Sequence, residues 1–177
     1  MQTKKYLKDI EILDIKRWVM QYYEYKKAYS ILKNKKKLYM QFYGKIAELM
    51  VSYELFKEDR VNWELDLEGD GGVDLIYEGK TIDVKCTTYW KKPELKENHP
   101  HPEEVADIYA LVGIHPKTYM TWITGYVPSQ KFLGEDNFIQ NYRGLGSRYM
   151  MPKHKLIRNI KEAVKLVNEQ NTSHSNL

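Results

Sequence analysis

The chain has 177 residues, 42% of them hydrophobic, with a formal net charge of +4 and a single cysteine. That length fits one domain with a proper core and is short for two, and the apolar content excludes a disordered chain. One cysteine excludes an internal disulfide and suits a reducing, cytoplasmic setting; no apolar run approaches membrane-spanning length, and no apolar signal core follows the first lysines, so no membrane partner is expected.

The charge is unevenly spread. Residues 1–45 carry 12 Lys/Arg against 4 Asp/Glu, residues 46–86 carry 4 against 11, and residues 87–177 carry 12 against 9. Basic flanks around an acidic centre suit a polyanion held by its phosphates over a cation site, or, more plainly, solvated lysine-rich helices.

In chain order, Ile12, Ile15, Val19, Tyr22 and Tyr23 trace an apolar stripe that predicts a helix from about Asp9 to Leu32, ended by the lysine cluster at 33–37. Its tyrosines read either as core residues with hydroxyls at the rim or as stacking groups for bases. A second helix is predicted from about Tyr39 to Lys57, with Phe42, Ile46, Leu49, Met50, Tyr53 and Phe56 on its apolar stripe. Gln41, Lys45, Glu48 and Ser52 form a separate polar stripe on it.

The alternation of Val61 to Leu67 predicts a first strand, and the glycine-rich stretch 68–72 a turn, with Asp70 as a turn former. A β-hairpin then runs from Gly71 to Lys85, turning at Glu78-Gly79-Lys80. Strand alternation places Ile82, Val84 and Cys86 on one face and Asp83 and Lys85 on the other, with Asp74 across the hairpin from Asp83. Two carboxylates and an ammonium on one face are poor core material but suit a divalent cation.

The ordered set Gly44-x-x-x-Glu48 on a helix, Gly-Val-Asp74, then Asp83-x-Lys85 resembles the PD-(D/E)XK nuclease superfamily over roughly residues 40–130, with valine at 73 where the superfamily name has proline. The resemblance implies an α/β restriction-endonuclease-like core, a central mixed β-sheet flanked by helices. Around it a single domain is expected: a basic helical extension (1–37), the nuclease core (38–133), a C-terminal loop and helix (134–170) and a frayed tail (171–177). It further implies Mg²⁺, with Mn²⁺ as a substitute, held by Asp74, Asp83 and the Val84 backbone carbonyl. Glu48 would support the metal or a water, and Lys85 would position the attacking water. The implied partner is DNA, cut by a homodimer, since two strands need two sites. A Holliday-junction resolvase is the nearest variant, a non-catalytic basic nucleic-acid binder the rival of a different class, and RNA a further substrate option.

Beyond the hairpin, three prolines between Thr87 and Glu104 argue against a regular second core helix of the superfamily and leave either a short helix or a long loop beside the site. Within it, His99 and His101 have no third partner and make weak evidence for zinc. Strands are predicted over Asp107–Ile114 and Thr118–Val127, a capped helical turn after Pro128, a glycine-broken loop at 141–148, and a closing amphipathic helix through Leu156, Ile157, Ile160, Ala163, Val164 and Val167. Lys35, Lys36, Lys37, Lys45, Lys91, Lys92, Arg143 and Arg148 are the candidate phosphate contacts.

Overall fold

The structure is a computed structural model. It describes residues 4–5, 8–28, 36–64, 72–89, 91–98, 100, 104–140, 142 and 146–174. Lys35, Arg143, His99 and His101 therefore lie outside the described residues, as does all of the stretch 65–71.

Helix α1 (Asp9–Ala28) and helix α2 (Lys36–Phe56) follow a two-residue strand β1 (Lys4–Lys5). Ile12, Ile15 and Val19 bury the inner face of α1 as their spacing requires, and the Lys8 backbone N–H donates to Glu11 Oε2 at 2.6 Å just before the helix begins. Helix α2 differs from its pattern. Its polar stripe is as buried as its apolar one: Lys45, Glu48 and Ser52 are each less than a tenth exposed. The reason is position, since α1 packs on one side of α2 and the sheet on another.

The main sheet is mixed, in the order β1-β6-β5-β3-β2. Strand β2 (Leu75–Tyr77) and β3 (Lys80–Thr87) form the expected hairpin, and β5 (Ile108–Ile114) and β6 (Thr121–Pro128) pair antiparallel beside it. Among the described residues the one parallel pair in the sheet is β3 with β5. The hairpin turn has positive φ at both Glu78 (49°) and Gly79 (73°), the mirror-image turn whose twist matches its strands. Gly72 is required for a different reason: at φ 78° an added Cβ would lie 2.4 Å from the Glu104 carbonyl oxygen.

One sheet face, carrying Leu75, Ile82, Val84, Ile108, Ala110 and Val112, buries against α2 and against α4 (Ile160–His174). Tyr109, Leu111 and Val127 point the other way, into a second core with Leu95, Phe132, Met151 and Leu156. That face is covered mainly by a second sheet, ordered β4-β8-β7, of β4 (Glu94–Asn98), β8 (Arg148–Pro152) and β7 (Phe138–Ile139), with the short helix α3 (Ser129–Phe132).

Several expectations are corrected. Residues 61–64 form no strand, because side chains take their backbone groups: Val61 N–H donates to Asp59 Oδ1, Glu64 N–H to Asn62 Oδ1, and the carbonyls of Asn62 and Trp63 accept from Lys45 Nζ and Trp18 Nε1. The proline-rich segment holds a strand, β4, rather than a long loop. Pro93 and Pro100 bracket it, and Leu95 is fully buried between half-buried Glu94 and exposed Lys96. No helix among the described residues joins β3 to β5, so the crossover passes through the second sheet. Leu156 and Ile157 precede the last helix, Ile157 bridging Tyr126 instead, and the helix continues to His174, past the expected fraying point. Asn159 Oδ1 accepts from the Lys161 N–H at its start. No helix among the described residues is long and apolar enough to cross a membrane.

Candidate metal centre

Strand β3 carries Asp83, Val84 and Lys85, three of the candidate residues. Its pairing with β2 stops at Ile82, and Asp74 extends that ladder by one step, its N–H donating to the Ile82 carbonyl at 3.0 Å. The Asp74 side chain then takes the next rung: Oδ2 accepts from the Val84 N–H at 2.6 Å. In an extended strand a residue's N–H and C=O emerge on the same edge. The Val84 carbonyl therefore leaves β3 on the side where Asp74 sits. Past that rung, β3 is paired with β5 on one edge, and no described strand pairs with the other.

Asp83 and Lys85 project from the opposite face to Val84, toward the second sheet. Lys85 Nζ lies 2.8 Å from Asp83 Oδ2 and 2.5 Å from Glu97 Oε2 on β4. Asp83 is buried and Lys85 about a third exposed. Burial works against the charge on Lys85, but the attraction of Asp83 and Glu97 outweighs it and holds the ammonium pKa above its ordinary value. Lys85 is thus a standing positive charge rather than a neutral base. Tyr109 lies beside Asp83 in the β3–β5 register; burial first, then Asp83 and Glu97, raise its phenol above the usual range.

Glu48 comes from α2, on the helix-covered face. Its Oε2 is 2.6 Å from Lys45 Nζ, both side chains being about one-tenth exposed, and Lys45 also donates to the Asn62 carbonyl at 3.0 Å. Lys45 stacks over the Trp18 ring at 4.9 Å. The Cys86 thiol is pushed up to about 11, by burial and then by Glu48 and Asp74, so both of those carboxylates lie near it. The expectation that Asp74 shares one face with Asp83 and Lys85 is therefore corrected. Asp83 and Lys85 stand on one face of β3, Glu48 approaches from the other, and Asp74 bridges at the open edge between them.

Among the described residues no three His, Cys, Asp or Glu side chains share a position from which to hold an ion. Mg²⁺ commonly needs fewer, taking one or two carboxylates and keeping several waters. Asp74 and the Val84 carbonyl at the edge, with the Asp83 carboxylate on the adjoining face of the same strand, are hard oxygen donors of that kind, so the chemistry of the donor set fits such an ion.

The remaining candidates scatter. Lys91 and Lys92 are exposed in the turn after β3, and Lys36 and Lys37 open α2. Lys45, expected to face a phosphate, is buried and committed to Glu48. Arg148 lies on β8 with its guanidinium 4.8 Å from the Tyr142 ring, and its Nε is buried with no hydrogen-bond partner. Asp107 serves the strand start: Oδ2 accepts from Thr81 N–H at 2.9 Å and from Thr81 Oγ1 at 3.0 Å. Glu97 was missed by sequence reasoning. Its only signal was a charged residue within a segment that carries no strand propensity.

No family model, curated protein or solved structure matches this chain.

Proposed function

We propose that the protein is a divalent-metal-dependent nuclease of the PD-(D/E)XK type, hydrolysing phosphodiester bonds in DNA. The observation that carries this reading is the Asp74–Val84 bond, which sets a second carboxylate and a strand carbonyl at the edge of the Asp83-x-Lys85 strand. Asp74, Asp83 and the Val84 carbonyl would hold the ion. When bound, it supplies charge relief at the phosphate and acidifies a coordinated water. Water adds to phosphorus as the bond to the leaving oxygen breaks, and the resemblance implies 5′-phosphate and 3′-hydroxyl products. Lys85 faces the developing negative charge as a fixed ammonium. Glu48, anchored by Lys45, is placed to orient water from the helix side of the edge. Lys91 and Lys92 offer exposed charge for the flanking phosphates.

The test is incubation of wild type and Asp83→Asn with supercoiled, linear, single-stranded and four-way DNA and with labelled RNA, each with Mg²⁺, with Mn²⁺ and with chelator. The reading requires metal-dependent cutting by wild type, lost in the variant while DNA binding survives. A wild type that binds DNA and cuts nothing under any of these conditions sinks it and leaves a basic binding protein. Four-way DNA cut in preference to duplex identifies the resolvase variant.

A further inference from the structure

The Lys85 ammonium is shared between two carboxylates of different origin. Asp83 belongs to its own strand, whereas Glu97 reaches it from β4 in the second sheet, and Glu97 lies outside the sequence pattern that marks the site. Glu97 is itself largely buried, with a side chain 15% exposed. Next to this group lies Tyr109, fully buried, its ring edge-on to Phe132 at 5.0 Å and its centroid 6.0 Å from Lys85 Nζ. The Tyr109 hydroxyl has no hydrogen-bond partner among the described residues. A buried hydroxyl in a native structure nearly always has one, so a phenol left open beside two carboxylates and an amine is a donor waiting for an oxygen.

The arrangement poses a competition. A cation that takes Asp83 must displace the Lys85 ammonium from that carboxylate, and a lysine with no second anchor would either resist displacement or swing away. Glu97 removes the conflict by giving the amine a second seat that the motif strand does not supply. We propose that Glu97 is a positioning residue that retains Lys85 when Asp83 turns to a divalent cation, and that the Tyr109 hydroxyl donates to a water in that cation's hydration shell. This inference rests on the nuclease reading above and adds two residues to its site.

The experiment is a Mn²⁺ titration of the full chain without nucleic acid, followed by the electron paramagnetic resonance signal of free Mn²⁺. It compares wild type, Glu97→Gln, Tyr109→Phe, Lys85→Met and the Glu97→Gln/Lys85→Met double variant, with circular dichroism confirming that each is folded. Glu97→Gln and Tyr109→Phe are each expected to weaken binding on the order of tenfold, as outer-shell partners of metal ligands do. In the Lys85→Met background the Glu97→Gln effect should vanish, because the competing amine is gone. In cleavage assays Glu97→Gln should raise the Mn²⁺ concentration for half-maximal rate more than it lowers the maximal rate. An undiminished Glu97→Gln effect in the double variant, or unchanged affinity in both single variants, overturns the inference while leaving the nuclease reading in place. Wild type that neither binds Mn²⁺ nor cleaves overturns the nuclease reading itself.

Discussion

Replacing Lys45 by methionine removes a charge while keeping most of the side chain's length over the Trp18 ring. Its partner Glu48 then remains in place, 7% exposed, without the ammonium now 2.6 Å away. At that separation and an effective dielectric of about 20, the attraction is about 6 kcal/mol. Desolvating each ion costs several kcal/mol, so the intact pair contributes little net stability. Breaking it is another matter, since the buried Glu48 carboxylate would lose the ammonium beside it. The cost has a ceiling, because the carboxyl can escape by taking up a proton. For a glutamate with an unfolded-state pKa of about 4.3, protonation costs about 3.7 kcal/mol at pH 7 and about 1 kcal/mol at pH 5. The sign follows: in the variant the protonated folded form is favoured, so its stability falls as pH rises above the ordinary carboxyl value. Urea denaturation should therefore show Lys45→Met destabilised by about 3–4 kcal/mol at pH 7 and by about 1 kcal/mol at pH 5. Lys45→Met with Glu48→Leu should return to within about 1 kcal/mol of wild type. A loss below about 0.5 kcal/mol at pH 7, the range typical of surface positions, or a loss independent of pH, would refute the reasoning. It would put Lys45 in solvent and restore it as a phosphate contact.

Three further outcomes are expected. Cys86, with its thiol pushed up to about 11, should alkylate slowly at pH 8; Asp74→Asn lowers that value by removing a nearby negative charge, and Mg²⁺ at the same carboxylates should likewise speed iodoacetamide labelling, whereas labelling indifferent to both changes would remove Asp74 from the thiol's surroundings. Gly72→Ala should cost about 2–4 kcal/mol in thermal or urea unfolding, from the left-handed φ together with the Glu104 carbonyl at 2.4 Å; a neutral result would mean this loop does not hold Asp74 in place. Because Asp83 and Glu97 hold the Lys85 ammonium above its ordinary pKa in the metal-free protein, an NMR titration of that side chain without metal should show no deprotonation through pH 9.5, and a titration step between pH 8 and 9 that is lost in Lys85→Arg would contradict the charge state assigned to it.

The hairpin was legible because its information is local. Turn chemistry at Glu78-Gly79, alternation in Ile82-Asp83-Val84-Lys85 and the flanking aliphatics all act within ten residues, and the structure follows them. The apolar stripes of both N-terminal helices were legible for the same reason. Strand β4 was not. Its sequence Glu-Leu-Lys-Glu-Asn has one apolar residue, and it extends because β8, some fifty positions later, pairs with it and Leu95 finds a core built by Phe132 and Met151. Glu97 was lost with it. The opposite error occurred at 61–64, where an alternating pattern suggested a strand whose backbone groups are instead taken by Asp59, Asn62, Lys45 and Trp18.

The amino-acid order alone thus determined which residues could carry acid, amine and carbonyl chemistry, and that Asp74, Asp83, Val84 and Lys85 would meet at one hairpin. Spacing along a strand dictates neighbours without help from the rest of the chain. Tertiary structure decided the rest: that Lys45 turns inward to Glu48, that Glu48 and Asp83 stand on opposite faces of β3, and that a carboxylate from a second sheet shares the lysine. Each of those depends on which elements pack together, and burial and charge pairing between distant segments are settled only when the whole chain folds.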